Sequence, residues 1–210
     1  MNPRPISHRS GQHAPKGFSI MEVLITAAVL SVLLAVASSM AGSWRSQQIL
    51  AAATRLNQDI QLARSLAIKR GQPVEIRFYS NQDFSLTTPD PQYKTWQIVG
   101  YDSREERLIR LSELQRFDST VILSRFPTLS SVFVNERPLD PASDPFPSLL
   151  QTRMSSIEFR PDGTTTLDPD PSLVWTLTLL TDGFADDTHN LPPDFRTLII
   201  SADNGSVSVY

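Results

Sequence analysis

The side chain in this sequence most suggestive of chemistry is the carboxylate of Glu22, the only charge between Phe18 and Ser43. A charged group within a long apolar stretch is costly to place in a membrane and usually has a partner and a function. The preceding residues, Met1 to Gly17, contain Arg4, Arg9 and Lys16 and no acid. Glu22 is therefore either solvated at a membrane surface or paired with a positive charge from outside the apolar stretch.

A second group of candidate side chains is the acidic segment that contains Asp182, Asp186, Asp187 and His189. Carboxylate oxygens are the ligands that hard cations such as Ca²⁺ prefer. An acidic loop flanked by prolines is, however, more often simply solvated. We therefore predict no metal site and keep Asp182, Asp186 and Asp187 as the alternative, a cation-binding loop.

No arrangement of residues in the sequence indicates catalysis. The chain has no cysteine, which excludes disulfides, thiolate metal sites and cysteine nucleophiles. Serine-hydrolase, zinc-protease, phosphate-loop and dinucleotide-binding motifs are absent from the sequence. A formal net charge of -3 argues against nucleic acid as a partner, because binding to phosphates needs clustered Lys and Arg. We predict a protein that is not an enzyme and has no cofactor, nucleic-acid partner or small-molecule substrate.

A long helix must carry Glu22. At about 1.5 Å per residue, the apolar stretch from residue 18 to residue 43 is long enough to cross a bilayer core of about 30 Å. The basic leader favours a cytoplasmic N-terminus, and Trp44 with Arg45 forms a natural pair for a membrane interface. Apolar residues then continue at helical spacing and predict one buried face, formed by Ile49, Ala53, Leu56, Ile60, Ala63 and Ala67. Gly71 and Pro73 mark the end of the helix.

The pattern after Gly71 changes to the alternation typical of β-strands. Strands are predicted at 74–79, 95–101, 107–111, 120–123, 131–134, 156–160, 164–167, 173–180, 197–202 and 206–210. Pro161-Asp162-Gly163 and Asp203-Asn204-Gly205 are hairpin signals, the second typical of a type I′ turn. Segments 80–94, 135–153 and 181–196 are rich in Pro, Asp and Ser and predict surface loops. The fold class is α+β, a long N-terminal helix on an antiparallel sheet, with the order basic leader (1–17), transmembrane helix (18–43), amphipathic continuation (44–71) and β domain (72–210).

The sequence Lys-Gly-Phe-Ser-Ile-Met-Glu at residues 16–22 resembles the prepilin processing site of the type IV pilin family. This resemblance implies a type IV pilin-like fold and cleavage between Gly17 and Phe18 by a membrane prepilin peptidase. It further implies N-methylation of Phe18. In the family, the acid that corresponds to Glu22 pairs with the terminal amine of a neighbouring subunit during assembly, which would supply the missing partner of this carboxylate.

The rest of the chain is similar, in patches, to the H-type minor pseudopilins of type II secretion. The similarity lies in Ala63-Arg64 of the helix, in the strand that begins at Val74 and in the turn of residues 159–164. Within that group, the prepilin signature and the end of the first strand are similar to the Verru-Chthon cassette D proteins. The chain departs from the type IV pilin pattern in having no proline between residues 35 and 42, so the residue at which the family's helices often kink is missing.

The resemblance implies a structural minor pilin or pseudopilin subunit. Its expected partners are the prepilin peptidase, other pilins or pseudopilins and the bacterial inner membrane, with the C-terminal domain in the periplasm and the fibre outside the cytoplasm. Ala35-Val36-Ala37 leaves an alternative open, because a small-x-small site after an apolar stretch is how a secretory signal ends. The protein would then be an exported or membrane-anchored binding domain of the cell envelope.

Overall fold

The computed structural model describes residues 19–81, 92–102, 107–118, 120–139, 151–184 and 191–210. The chain divides into two compact units, Met1–Gly42 and Ser43–Tyr210. Across the described ranges, no helix combines the length and the apolar character needed to cross a membrane. The transmembrane assignment of residues 18–43 therefore stays a prediction.

Helix α1 runs from Ile20 to Arg70. It ends at Gly71, whose φ of 63° is the left-handed conformation that glycine adopts most readily, and the Gly71 N–H donates to the Ala67 carbonyl over 3.0 Å. Lys69 and Arg70 lie in the last turn, where positive charge favours the helix dipole. The predicted helix end is confirmed, whereas Phe18, the predicted first residue, lies outside the described residues.

Ten strands follow the helix within the described ranges: β1 (Val74–Asn81), β2 (Gln92–Asp102), β3 (Arg107–Arg110), β4 (Gln115–Arg116), β5 (Val121–Leu123), β6 (Arg137–Pro138), β7 (Gln151–Phe159), β8 (Trp175–Thr181), β9 (Arg196–Ile200) and β10 (Val207–Val209). They form one sheet in the order β10-β9-β8-β5-β2-β1-β7-β6, and β3 and β4 also pair with β2. All of these pairings are antiparallel. The predicted α+β class and antiparallel sheet are thus confirmed.

The hydrophobic core lies between α1 and one face of this sheet. The predicted apolar stripe of α1 is fully buried, with Ile49, Ala53, Leu56, Ile60, Ala63 and Ala67 at 0–1% exposure. Ile76 of β1 is in register with Ile98 of β2 on one side and Ile157 of β7 on the other, so three isoleucines face the helix as a row. The helix and the centre of the sheet share one continuous core.

Two predicted strands are wrong. Residues 131–134 belong to a short 3-10 helix, Ser131–Asn135, because the hydroxyls of Ser130 and Ser131 accept bonds from the backbone of β8 and replace a strand ladder. Its adjacent residues Val132 and Phe133 are both buried. Residues 164–167 form only a single bridge, between Thr165 and Phe159.

The turn predicted at Asn204-Gly205 is also corrected. The N–H of Ser201 donates to the Ser206 carbonyl over 2.9 Å, which leaves a four-residue loop between them instead of the two-residue type I′ turn. Gly205 is the last residue of this loop, with a φ of 63°. The glycine was a correct hairpin signal, but the loop has four residues, and the Gly205 N–H donates across it to the Ser201 carbonyl over 2.9 Å.

Two turns are fixed against the last part of α1. Arg64 Nε donates to the Gly163 carbonyl over 3.2 Å, and Gln61 Nε2 donates to the Gly205 carbonyl over 3.4 Å. A Cβ added to Gly205 would lie 2.8 Å from Phe159 Cε1 and 3.0 Å from the Gly163 oxygen. Gly163 has a φ of 84°, so both turns need glycine for its backbone conformation, and Gly205 also needs it for space.

The core stripe of α1 makes a first testable prediction. Leu56→Ala removes a fully buried side chain and should lower the free energy of unfolding by about 2–5 kcal/mol. Leu62→Ala is the matched control, because Leu62 lies on the same helix at 46% exposure and should change stability by under about 1 kcal/mol. Urea unfolding of the detergent-solubilised full chain measures both. Equal losses from the two variants would contradict the assignment of the buried face.

The glycine contacts make a second prediction. Gly205→Ala adds both backbone strain and a steric clash, whereas Gly71→Ala adds strain alone, since no atom lies within 4 Å of its added Cβ. We expect Gly71→Ala to lose about 1 kcal/mol of unfolding free energy and Gly205→Ala to lose at least about 2 kcal/mol. The same urea unfolding experiment checks this order. An equal loss at both positions would show that the approach of the Gly205 loop to Phe159 is unimportant.

Candidate functional site

The predicted processing junction lies at the edge of the described chain. Gly17 and Phe18 are outside the described residues, so the cleavage and methylation assignments stay predictions. The first described residue, Ser19, caps α1: its carbonyl accepts the N–H of Glu22 over 3.0 Å and its hydroxyl accepts the N–H of Met21 over 3.3 Å. The helix therefore starts immediately after the predicted junction.

Glu22 lies in the first turn of α1 and is exposed. Its position favours the negative charge, because the N-terminus of a helix carries a partial positive charge. Among the described residues, no Lys or Arg forms an ion pair with Glu22. The carboxylate thus belongs to the first turn of α1, and the described residues do not supply a basic partner for it.

The helix around Glu22 presents apolar side chains on every side. Between residues 20 and 35 the large exposed side chains are Ile20, Met21, Val23, Leu24, Ile25, Val29, Leu30, Val32, Leu33 and Leu34, each more than half exposed. Two hydroxyl groups within this segment bond to the backbone of the helix itself. Thr26 Oγ1 donates to the carbonyl of Glu22, and Ser31 Oγ donates to the carbonyl of Ala27. The described surface of this segment is therefore apolar, with Glu22 as its one charge.

The part of α1 that packs on the sheet is joined to β2 by a polar contact that was not predicted from the sequence. Trp96 of β2 is fully buried and donates its Nε1–H to the Asp59 carboxylate over 2.8 Å. The guanidinium of Arg55 lies 5.6 Å from the centre of the Trp96 ring and donates to the Gln115 side chain. Asp59 and Arg55 are one turn apart on α1, and Trp96 lies between them. This cluster fixes the rotation of α1 on the sheet.

Residues of the predicted cation loop are only partly described. Asp182 forms an ion pair with the buried Lys94 at 3.3 Å, while Asp186, Asp187 and His189 lie outside the described residues. The described ranges contain no cluster of three or more His, Asp or Glu arranged to hold a metal ion. Asp182 therefore links the residues that follow β8 to Lys94 of β2. The cation-binding loop stays a prediction.

Two sequence-family models match this chain. The family model for type II transport protein GspH matches residues 52–203. The model described as the prokaryotic N-terminal methylation motif matches residues 13–38, which include the predicted junction and Glu22. None of the curated proteins compared with the chain matches it in sequence.

Solved structures with a similar fold include a minor pilin and two pseudopilins. The type IV minor pilin FimU of Pseudomonas aeruginosa is 17% identical, with a TM-score of 0.44, over 78% of this chain and 89% of that one. The solution structure of E. coli GspH is 16% identical, with a TM-score of 0.43, over 79% and 89%. The minor pseudopilin EpsH of the Vibrio cholerae type 2 secretion system is 12% identical, with a TM-score of 0.40, over 78% and 96%.

The family model bears out the H-type pseudopilin resemblance and the structural, non-enzymatic role predicted from the sequence. It spans the helix stripe from Ala53 to Ala67, the Trp96 cluster and the Gly163 turn of the domain described above. The chain belongs to the GspH family of type II transport proteins.

Proposed function

We propose that this chain is a minor pilin or pseudopilin subunit whose residues 1–17 are removed between Gly17 and Phe18 by a prepilin peptidase. Phe18 is then N-methylated, and the mature chain assembles through the first half of α1 into a type II secretion or type IV pilus-like fibre. The observation that carries this proposal is the overlap of the methylation motif, residues 13–38, with a helix whose apolar side chains are exposed all round.

The exposed apolar segment supports assembly because water is a poor environment for it. Burial of apolar surface contributes about 25 cal/mol per Å², and the ten large side chains between residues 20 and 35 are each more than half exposed. Lipid before assembly and neighbouring helices after assembly would both remove this surface from water. The same segment can therefore serve as the anchor and as the packing surface in turn.

The proposed location is the bacterial inner membrane. The leader contains Arg4, Arg9 and Lys16, and positive charge beside an apolar segment favours a cytoplasmic N-terminus. The domain of residues 72–210 then faces the periplasm, where fibre subunits meet. Partners of the chain are the prepilin peptidase and other pilins or pseudopilins.

Glu22 is assigned to assembly. Within the described residues its carboxylate has no basic partner, and it lies one helical turn after the residue that cleavage would make the N-terminus. The terminal amine of Phe18 on a neighbouring subunit would neutralise it inside an apolar fibre. Two charged groups that are each costly alone are then buried as a pair.

The mature N-terminus tests the proposal directly. Mass spectrometry of protein purified from the membrane should find a methylated Phe18 as the first residue. An N-terminus near Ser38 would instead support the alternative, in which Ala35-Val36-Ala37 ends a secretory signal and the product is an exported binding domain. An intact Met1 would support a simple membrane anchor. Either of these two results would overturn the processing scheme.

A third prediction concerns the cleavage site. Gly17→Ala places a methyl group at the bond to be cut, where the peptidase must approach the backbone closely, and should leave the precursor largely unprocessed. An immunoblot that separates precursor from mature protein measures this. Ser19→Ala is the matched control, because it changes a neighbouring residue beyond the bond and should be processed. Normal maturation of the Gly17 variant would contradict the assignment.

A fourth prediction separates a fibre subunit from an anchored monomer. Glu22→Leu leaves the Phe18 amine of the neighbour unpaired in the fibre, and loss of one partner of a buried pair typically costs about 3–5 kcal/mol. Processing and membrane insertion should continue, while cross-linked oligomers in cells should be lost. If Glu22 merely lies at a watery interface, the same change should be harmless or should strengthen insertion. Equal oligomer yields from wild type and variant would therefore refute the pairing.

A further inference from the structure

A groove at the start of β8 combines apolar and acidic surface. It has a volume of about 230 Å³ and is lined by Leu173, Val174 and Trp175 together with Asp168, Asp170 and Asp203. Its lining includes no basic residue. Leu173 and Val174 are 47% and 57% exposed, which makes this an apolar surface open to solvent with three carboxylates at its rim. A partner that fits it must bring an apolar side chain and a positive charge together.

The groove is held in one conformation by its own hydrogen bonds. Trp175 Nε1 donates to the Asp168 carbonyl over 2.9 Å, and the carboxylate of Asp170 accepts the backbone N–H and the hydroxyl of Ser172 over 2.8 Å each. These bonds from Ser172 stabilise the charged carboxylate and so lower the pKa of Asp170. A rigid surface loses little conformational entropy when a partner binds.

The same chain carries side chains of the complementary kind at Trp44 and Arg45. Of its three tryptophans, Trp96 and Trp175 are buried, whereas Trp44 is 66% exposed. Arg45 beside it is also exposed. Tryptophan and arginine are the residues most enriched at the energetic centres of protein interfaces. An indole would cover Leu173 and Val174, and a guanidinium would meet the carboxylates of Asp168, Asp170 and Asp203.

A chain cannot fill its own groove with these residues. One turn after Trp44, Gln48 hydrogen-bonds Thr120 at 3.3 Å, and the Thr120 carbonyl accepts the N–H of Asp182, which follows the last residue of β8. The groove lies at the first residue of β8, so the length of that strand, about 20 Å, separates the two features. The Trp44–Arg45 pair must therefore come from a second molecule.

We infer that the groove of Asp168, Asp170, Leu173, Val174 and Asp203 binds the Trp44–Arg45 pair of a second copy of this chain. The contact joins two different surfaces at opposite ends of the domain, which makes it a head-to-tail contact. It deepens the proposed function, on which it rests, by adding a contact between domains to the contact between helices. The adjoining depression of about 440 Å³ would bind the Trp44–Arg45 pair less well, because Arg160 lines it and would repel Arg45.

The absence of cysteine makes the contact directly testable in the full chain. Two differently tagged copies, one with Trp44→Cys and one with Val174→Cys, are produced together in cells and treated with a short thiol-specific cross-linker. We expect a product that carries both tags. Leu62→Cys replaces Trp44→Cys in the matched control, since Leu62 is also exposed on α1, and its yield with Val174→Cys should be at least about tenfold lower.

A charge exchange provides the second arm. Arg45→Asp on the Trp44→Cys copy should lower the cross-link by about tenfold, and Asp170→Arg on the Val174→Cys copy should restore it, which a merely structural role would not do. Equal yields with Trp44→Cys and Leu62→Cys, or a loss without rescue, would overturn the inference. Protection of Trp44→Cys from a water-soluble maleimide in a copy without its partner would also overturn it, because lipid would then be the occupant. A chain that passes the Gly17 and Glu22 tests and fails here keeps its proposed function and loses only this contact.

Discussion

The burial of a single stripe of α1 against the sheet is the constraint on which the rest of the structure depends. Three of its residues, Ala53, Ala63 and Ala67, are small, and they are fully buried in the cluster that also contains Ile76, Ile98 and Ile157. Larger side chains at these positions would push the helix away and open the core. The stripe must also end where the core ends, because the first part of the same helix has apolar side chains on all sides and needs a different environment.

Apolar burial does not by itself set the rotation of a helix, and here polar contacts do so. The Trp96 indole bonds Asp59 on one flank of the stripe, and the carbonyls of Gly163 and Gly205 are bonded by Arg64 and Gln61 further along. These bonds are directional and surround the end of α1 with fixed partners. A domain whose helix is fixed in this way can transmit a load applied to that helix into the sheet. This property suits a fibre subunit that is held through its N-terminal segment.

The helix could be predicted from the sequence almost completely, because its stripe follows a strict helical spacing and Gly71 and Pro73 end it without ambiguity. Most strands could be predicted as well, since alternation and turn residues mark them. Residues 131–134 could not, because their hydroxyl bonds to β8 depend on a strand far away in the sequence. For the same reason the contact of Trp96 with Asp59 could not be predicted. The two residues are 37 positions apart, and no local sequence pattern indicates that their side chains form a hydrogen bond. The importance of Glu22 could be predicted, because the sequence alone shows a single charge without a local partner in an apolar segment.

The two glycine turns also govern the order in which this domain can be completed. Arg64 and Gln61 reach carbonyls that are 99 and 144 residues further along the chain, so these contacts have a very high sequence separation. A ribosome makes α1 first and residue 205 late, and until then the stripe of Ile49, Leu56 and Ile60 lacks much of its cover. Domains dominated by such non-local contacts fold slowly and expose apolar surface meanwhile. The nascent chain therefore passes through a period in which its helix is formed but uncovered, and a chaperone that shields the helix would have its greatest effect in that interval.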